Sequence, residues 1–208
     1  MGQRIIFATG NAGKMREIRE ILGDMGMEIL SMKEAGIDAD IVEDGTTFEE
    51  NAVIKAKAVA RLLKESAGRV HDRAVVLADD SGLEIDYLNR EPGIYSARYM
   101  GEDTPFDVKS LNLIERLEGV PDEERTARFV CAIAAVWPEG EVNVTRGVVE
   151  GRIDHELKGD NGFGYDPIFY VSELECTMAQ LTDEQKNQIS HRGKALEAMK
   201  EELKKRIT

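Results

Sequence analysis

The sequence is short of cysteine, of long apolar runs and of positive charge, and each shortage excludes something. Its two cysteines, Cys131 and Cys176, are too few for a disulfide framework or a zinc cluster. No stretch approaches the roughly 18 apolar residues of a membrane-spanning helix. Lys and Arg number 27 against 40 Asp and Glu, a net charge of −13 over 208 residues. Phosphate-backbone binding usually needs a broad basic face, so the balance disfavours a dedicated DNA or RNA binder. It leaves room for a small anionic ligand in a locally positive pocket. The opening Met-Gly-Gln-Arg-Ile-Ile has no signal-peptide core, and although Gly2 begins a myristoylation motif, Ile6 stands where Ser or Thr is needed. The expected compartment is the cytoplasm. Asn143-Val144-Thr145 matches a glycosylation acceptor by chance on that view.

What is present is ordinary for a soluble globular protein: 42% hydrophobic and 32% charged residues, enough for one large domain or two small lobes. Residues 4–8 form an apolar run that reads as a buried strand, then Thr9-Gly10-Asn11-Ala12-Gly13 marks a turn. From Lys14 onward, Met15, Ile18, Ile21 and Leu22 recur at helical spacing. A second strand is expected over 27–32. Thr47-Phe48-Glu49-Glu50 matches a capping box opening a helix to about Lys64, with Asn51 and Lys55 on one face. Residues 74–78 read as a strand that stops at Asp79-Asp80-Ser81-Gly82.

Thr104 reads as an N-cap with Pro105 at the first helical position, the helix running to about Leu117. Segments 129–136 and 142–149 read as a hairpin around Pro138-Glu139-Gly140, followed by a glycine-rich loop over 159–164. Thr182-Asp183-Glu184-Gln185 is a second capping box. Ser190 reads as the cap of a terminal helix with Leu196, Met199 and Leu203 as its apolar stripe. Helices interspersed with strands imply an α/β protein with a mixed sheet. There is no internal repeat and no low-complexity linker.

Four clusters could carry chemistry. A strand, a glycine turn and a helix start present backbone N–H groups and the positive end of a helix dipole to an anion, with Lys14 adding a point charge. It is not a P-loop, because Ala8 stands at the first glycine position and Met15 follows Lys14; a plain strand–helix turn is the alternative. Asp79-Asp80 after a buried strand, with Glu43-Asp44 as further carboxylates, suits magnesium, which takes one or two carboxylates plus phosphate oxygens and water. An exposed β-turn is the plainer alternative.

In Gly162-Phe163-Gly164-Tyr165-Asp166-Pro167, glycines flank a ring that could stack on a base or equally fill the core. Lys186 with Ser190-His191-Arg192 offers donors for ligand carbonyls, or only a capped helix with solvated basic residues. His71 and His155 have no sequence neighbours to work with, and no Ser-His-Asp or Cys-His arrangement is visible.

Taken together and in order, these motifs resemble the inosine triphosphate pyrophosphatase family. The match runs through Phe7-Ala8-Thr9-Gly10-Asn11-Ala12-Gly13-Lys14, Thr47-Phe48-Glu49-Glu50-Asn51-Ala52 and Ala78-Asp79-Asp80-Ser81-Gly82-Leu83. It continues through Pro92-Gly93-Ile94-Tyr95-Ser96-Ala97-Arg98-Tyr99 and Gly162-Phe163-Gly164-Tyr165-Asp166-Pro167-Ile168-Phe169. It closes on Glu184-Gln185-Lys186-Asn187 and Ser190-His191-Arg192-Gly193-Lys194-Ala195-Leu196.

The resemblance implies hydrolysis of non-standard purine nucleoside triphosphates (ITP, dITP, XTP) to monophosphate and pyrophosphate, with Mg²⁺. It implies a single domain over 1–208: an elongated two-lobed α/β fold with a long central mixed sheet and a cleft between the lobes. By motif, Thr9, Gly10, Asn11, Ala12, Gly13 and Lys14 would hold the triphosphate, with Lys55 a further phosphate contact. Glu43 and Asp80 would serve the metal, Asp80 doubling as proton acceptor, and Ser81 would touch substrate. Phe163, Gly164, Tyr165, Asp166, Lys186, His191 and Arg192 would surround the nucleoside. Family members are commonly homodimers, with residues 94–99 a candidate contributor. Two rivals stay open: a non-catalytic nucleotide-binding module, and a pyrophosphatase for standard or methylated pyrimidine triphosphates.

Overall fold

The computed structural model of the protein describes residues 4–65 and 73–207, so Gly2 and His71 lie outside the described residues. The chain forms two compact units: Met1–Asp80 with Cys131–Gly147 and Arg192–Thr208, and Ser81–Val130 with Val148–His191. Among the described residues eight strands make one mixed sheet in the order β2-β1-β3-β5-β6-β7-β8, with β4 on β3.

In unit 1, β1 (Arg4–Phe7) lies parallel to β2 (Glu28–Ser31) and to β3 (Val75–Ile85), pairing Ile5 with Ile29 and Val75. Parallel neighbours need crossovers. Helix α1 (Ala12–Leu22) separates β1 from β2, and α2 (Phe48–Glu65) precedes β3. Ile5, Ile6 and Phe7 are all fully buried, which explains why β1 reads as an unbroken apolar run rather than an alternating one.

The unit 1 core joins Ile5, Phe7, Val75 and Leu77 to Met15, Ile18 and Leu22 of α1. It also takes Ala195, Leu196, Met199 and Leu203 of α5 (His191–Ile207). The expected terminal stripe is therefore the helix's buried face.

Strands β5 (Thr126–Val136) and β6 (Val142–Ile153) are joined by a hairpin closed by the Trp137 N–H on the Glu141 carbonyl, 3.0 Å. Gly140 sits in it at φ +97°, a conformation only glycine adopts cheaply. Asn143 Oδ1 accepts the Trp137 indole N–H at 2.7 Å.

Unit 2 is antiparallel at its edge: β7 (Phe169–Val171) pairs with β6 and with β8 (Cys176–Thr177), and β4 (Glu91–Pro92) pairs with β3. Its core gathers Leu83, Ile85, Phe129, Ile153 and Phe169 with Leu113 of α3 (Phe106–Arg116). Arg125 is buried there and donates to the carbonyls of Leu117, Ile153 and Asp154, each at 2.8 Å.

Four sequence expectations need correction. Strand β3 does not stop at Asp79-Asp80-Ser81-Gly82 but runs through it to Ile85. The polar quartet reads as a turn by composition, yet partners described below neutralise its carboxylates, and Leu83 and Ile85 resume the buried pattern. Helix α1 begins at Ala12, not Lys14, because Asn11 caps it with its side chain on the Lys14 N–H. Pro105 is the cap of α3 rather than its first residue, and Thr104 Oγ1 donates back to the Met100 carbonyl. Strands β5 and β6 reach three and four residues further, respectively, than 129–136 and 142–149.

The capping box of α2 is shared out differently: Thr47 Oγ1 takes the Glu50 N–H, but the Glu50 carboxylate accepts from Thr46. The box of α4 (Asp183–Ile189) forms as written, Thr182 and Gln185 each bonding the other's N–H.

Candidate active site

The chemistry of unit 1 is organised by the two faces of β3. Side chains alternate along a strand, so Asp79 shares a face with Val75 and Leu77, and Asp80 shares one with Val76 and Ala78. The first face is covered by α1 and α5. Asp79 is fully buried there, with Lys14 Nζ at 2.8 Å and Arg192 Nη2 at 3.3 Å on the same carboxylate oxygen. Arg192 Nη1 bonds Glu17 of α1 at 2.6 Å. Burial alone would push the Asp79 carboxyl up, but Lys14, Arg192 and Lys55 outweigh it and hold it well below the usual carboxylate range. Asp79 is therefore ionised, and it fixes Lys14 at the start of α1.

The loop before α1 is built for close approach. Thr9 is nearly buried and its Oγ1 accepts the Asn11 N–H at 3.2 Å. Gly10 does not need a left-handed backbone, and a Cβ there would meet nothing within 4 Å. Glycine at this point leaves the main chain bare toward solvent, which suits an incoming oxyanion. Gly10, Asn11 and Ala12 are exposed, Gly13 and Lys14 half-buried, and the first turn of α1 carries no acidic residue.

The second face of β3 meets α2. Asn51 Nδ2 donates to Asp80 Oδ2 at 3.0 Å, and Lys55 Nζ reaches the Asp79 carbonyl and Glu43 Oε1, both at 2.8 Å. Burial, with Glu43 adding to it, pushes the Asp80 carboxyl up to about 6 against the opposing pull of Asn51 and Lys55. Burial also works against the Lys55 charge, but Asp79 and Glu43 prevail and raise its pKa. The Asp80 and Glu43 carboxylates form a hard-oxygen donor set whose crowding at Asp80 a small divalent cation relieves. Among the described residues no group of three or more His, Cys, Asp or Glu could hold a metal alone.

Unit 2 gathers the remaining candidates. Gly162 and Gly164 take φ +78° and +69°, and a Cβ on Gly162 would lie 2.2 Å from Asp166 Oδ2. That oxygen accepts the Phe163 N–H at 2.8 Å and Lys186 Nζ at 2.7 Å, while the same ammonium lies 4.5 Å from the Phe163 ring centre. Phe163 is half-buried, so its ring is not core filler. The loop's core member is Tyr165, buried with its hydroxyl on the Ser96 carbonyl at 2.8 Å. His191 stacks on Phe129 at 4.8 Å, and Ser81 follows Asp80 half-buried. Exposed His155 bonds Asp122 at 2.6 Å, apart from all of these groups.

The structure thus brings Thr9, Lys14, Glu43, Lys55 and Asp80 together in unit 1, and Phe163, Asp166 and Lys186 in unit 2. It puts Arg192 with the carboxylates of unit 1. Glu17 and Asn51 were given no role by sequence reasoning, and Asp79, read there with Asp80 as a magnesium carboxylate, instead anchors Lys14 and Arg192. Spacing placed Asn51 beside Lys55 on α2 and could have flagged Glu17, three residues after Lys14 on α1.

A mixed α/β sheet whose first unit sets a bare, capped helix start beside a lysine-held carboxylate pair defines a class of phosphate-handling, metal-dependent enzyme. The chain belongs to the Ham1 family, whose model matches residues 5–202. It is 49% identical over 202 residues to a dITP/XTP pyrophosphatase of Clostridium perfringens, covering 97% of this chain and 98% of that protein. Among solved structures, a HAM1 protein from Coxiella burnetii superposes with TM-score 0.84 at 40% identity, covering 99% of this chain and all of that one. The Staphylococcus aureus Ham1 protein gives 0.82 at 43% identity, with 97% and 98% covered.

Proposed function

We propose that the protein hydrolyses the non-standard purine nucleoside triphosphates ITP, dITP and XTP to monophosphate and pyrophosphate, clearing them before they enter DNA or RNA. The observation that carries this is the arrangement on β3: Asp79 anchors Lys14 beside the open loop, and Asp80 faces Glu43 and Lys55. Its Ham1 relative carries the matching name over nearly the whole length.

Loop N–H groups and Lys14 hold the triphosphate, and Lys55 adds a second positive charge. A water oriented at Asp80 attacks the α-phosphorus, the bond from that phosphorus to the bridging oxygen breaks, and pyrophosphate departs with the electron pair. Asp80, its carboxylate oriented by Asn51, takes the proton from the water. Glu43 and Asp80 would hold Mg²⁺, which would supply charge neutralisation for the triphosphate and its leaving group.

In unit 2 the Phe163 ring, backed by Lys186, offers a stacking face for the purine. His191 is the donor assigned to the 6-oxo group, and Arg192 beside it, held by Asp79 and Glu17, supports the start of α5. Adenine presents an amino donor at that position, which the same donor would oppose.

We take residues 1–208 as a single catalytic domain. We place the protein in the cytoplasm. Among the described residues no helix is long and apolar enough to cross a membrane. We take it to be a homodimer, which the exposed side chains of Tyr95, Met100 and Leu111 support.

The test is a nucleotide panel with Mg²⁺ scored by pyrophosphate release. ITP, dITP and XTP should turn over at least ~100-fold faster than ATP and the pyrimidine triphosphates, the discrimination available when a site's buried polar groups mismatch the base. Comparable rates on all of them would sink the proposal.

A further inference from the structure

Asn51 is almost fully buried and uses both ends of its amide. Its Oδ1 accepts the Gly45 N–H at 2.8 Å, and its Nδ2 donates to Asp80 Oδ2 at 3.0 Å. The Gly45 bond fixes which end of the amide is which, because a backbone N–H can only donate. Gly45 is packed so closely that a Cβ on it would lie 2.7 Å from Asn51 Oδ1. Glu43 stands two residues before Gly45, and Lys55, one turn along α2, holds its carboxylate at 2.8 Å. A single side chain therefore grips both the loop that carries Glu43 and the carboxylate of Asp80.

We propose that Asn51 is a positioning residue that sets Glu43 and Asp80 in register to share one divalent cation. It touches neither substrate nor metal. It acts by fixing the rotation of the Asp80 carboxylate and by pinning the loop two residues beyond Glu43. The proposal rests on the metal-dependent function above. Lys55 does not duplicate it, since its ammonium bonds the backbone carbonyl of Asp79 and the Glu43 carboxylate, whereas the Asn51 amide joins the loop to Asp80.

The test uses Asn51→Leu, close in volume and unable to make either bond. Its readouts are binding of Mn²⁺ alone, followed by electron paramagnetic resonance, and kcat at saturating Mg²⁺. Removing a residue that orients metal ligands typically costs ~10–100-fold in metal affinity or activity. Mn²⁺ binding should weaken by that factor and kcat should fall, while nucleotide affinity in EDTA stays near wild type. A residue that only packs would lower the melting temperature and leave both readouts in place.

If Asn51→Leu fails to fold, Asn51→Asp keeps the volume and the oxygen that Gly45 bonds while losing the donor to Asp80. Its kcat should drop by a similar ~10–100-fold. Mn²⁺ affinity and kcat of a folded variant within about threefold of wild type would overturn the proposal, set against that range. So would a wild-type protein that holds no Mn²⁺. A wild type whose Mn²⁺ binding depends on Asn51 yet which hydrolyses no nucleotide would instead retire the function above and leave the positioning role standing.

Discussion

Asp80→Asn should lower kcat by about 10³-fold, within the span usual for loss of a general acid–base group, with a smaller effect on substrate affinity. The amide has the carboxylate's shape but neither accepts the water's proton nor neutralises a cation. Binding falls less because Lys14, Lys55 and the loop N–H groups stay in place.

The same substitution should raise the stability of the metal-free protein. Burial, with Glu43 adding to it, lifts the Asp80 carboxyl from 3.8 to about 6 in the folded state. A raised carboxyl favours folding most when protonated, and that contribution is lost as pH rises through about 6. Above that pH the charged, half-buried group costs stability that an amide would not. Asp80→Asn should therefore melt higher than wild type at pH 8 without metal, with the difference fading toward pH 4, the two conditions bracketing the raised value. Turnover near the wild-type rate would show that Asp80 has no part in the chemical step.

Asp79→Ala should be the most damaging single change to the fold, costing roughly 3–5 kcal/mol, the usual loss when one partner of a buried ion pair is removed. The cost comes from what remains: a buried Arg192 that keeps Glu17 but loses Asp79, and Lys14 deprived of its anchor. Here the sign with pH is opposite to that of Asp80. The Asp79 carboxyl is held below its ordinary value, so its stabilisation is fully present above that value and is lost as pH falls through the lowered one. Urea unfolding at pH 7 should show the full deficit, shrinking as the solution is acidified below the carboxylate range. A deficit under about 1 kcal/mol at pH 7, typical of an exposed pair, would mean the network contributes little.

Much of this was legible in the chain, and the failures have physical causes. Periodicity and caps located α1, α2, α4 and α5, because those signals are local and the core obeys them. The continuation of β3 was not legible. Asp-Asp-Ser-Gly has the composition of a turn, and only the long-range partners of its carboxylates, Lys14, Arg192 and Asn51, let it persist as strand.

His191 and Arg192 read as one cluster because they are adjacent. Successive residues on a helix point about 100° apart, so the imidazole stacks on Phe129 while the guanidinium turns to Asp79 and Glu17. In the glycine-rich loop, composition could not say which ring enters the core. The structure gives that place to Tyr165, whose hydroxyl finds a carbonyl, and leaves Phe163 half-exposed over Lys186. Asn51 was visible as a face-mate of Lys55, but its two bonds depend on a loop and a strand that no local pattern joins.

The most direct test of the central claim, that the Asp80 face of β3 delivers water to the α-phosphorus, is hydrolysis of ITP in ¹⁸O-labelled water. Mass spectrometry of both products reads the site of attack. The label should appear in inosine monophosphate, with the pyrophosphate released whole and unlabelled. Label in pyrophosphate, or release of single phosphates, would contradict it.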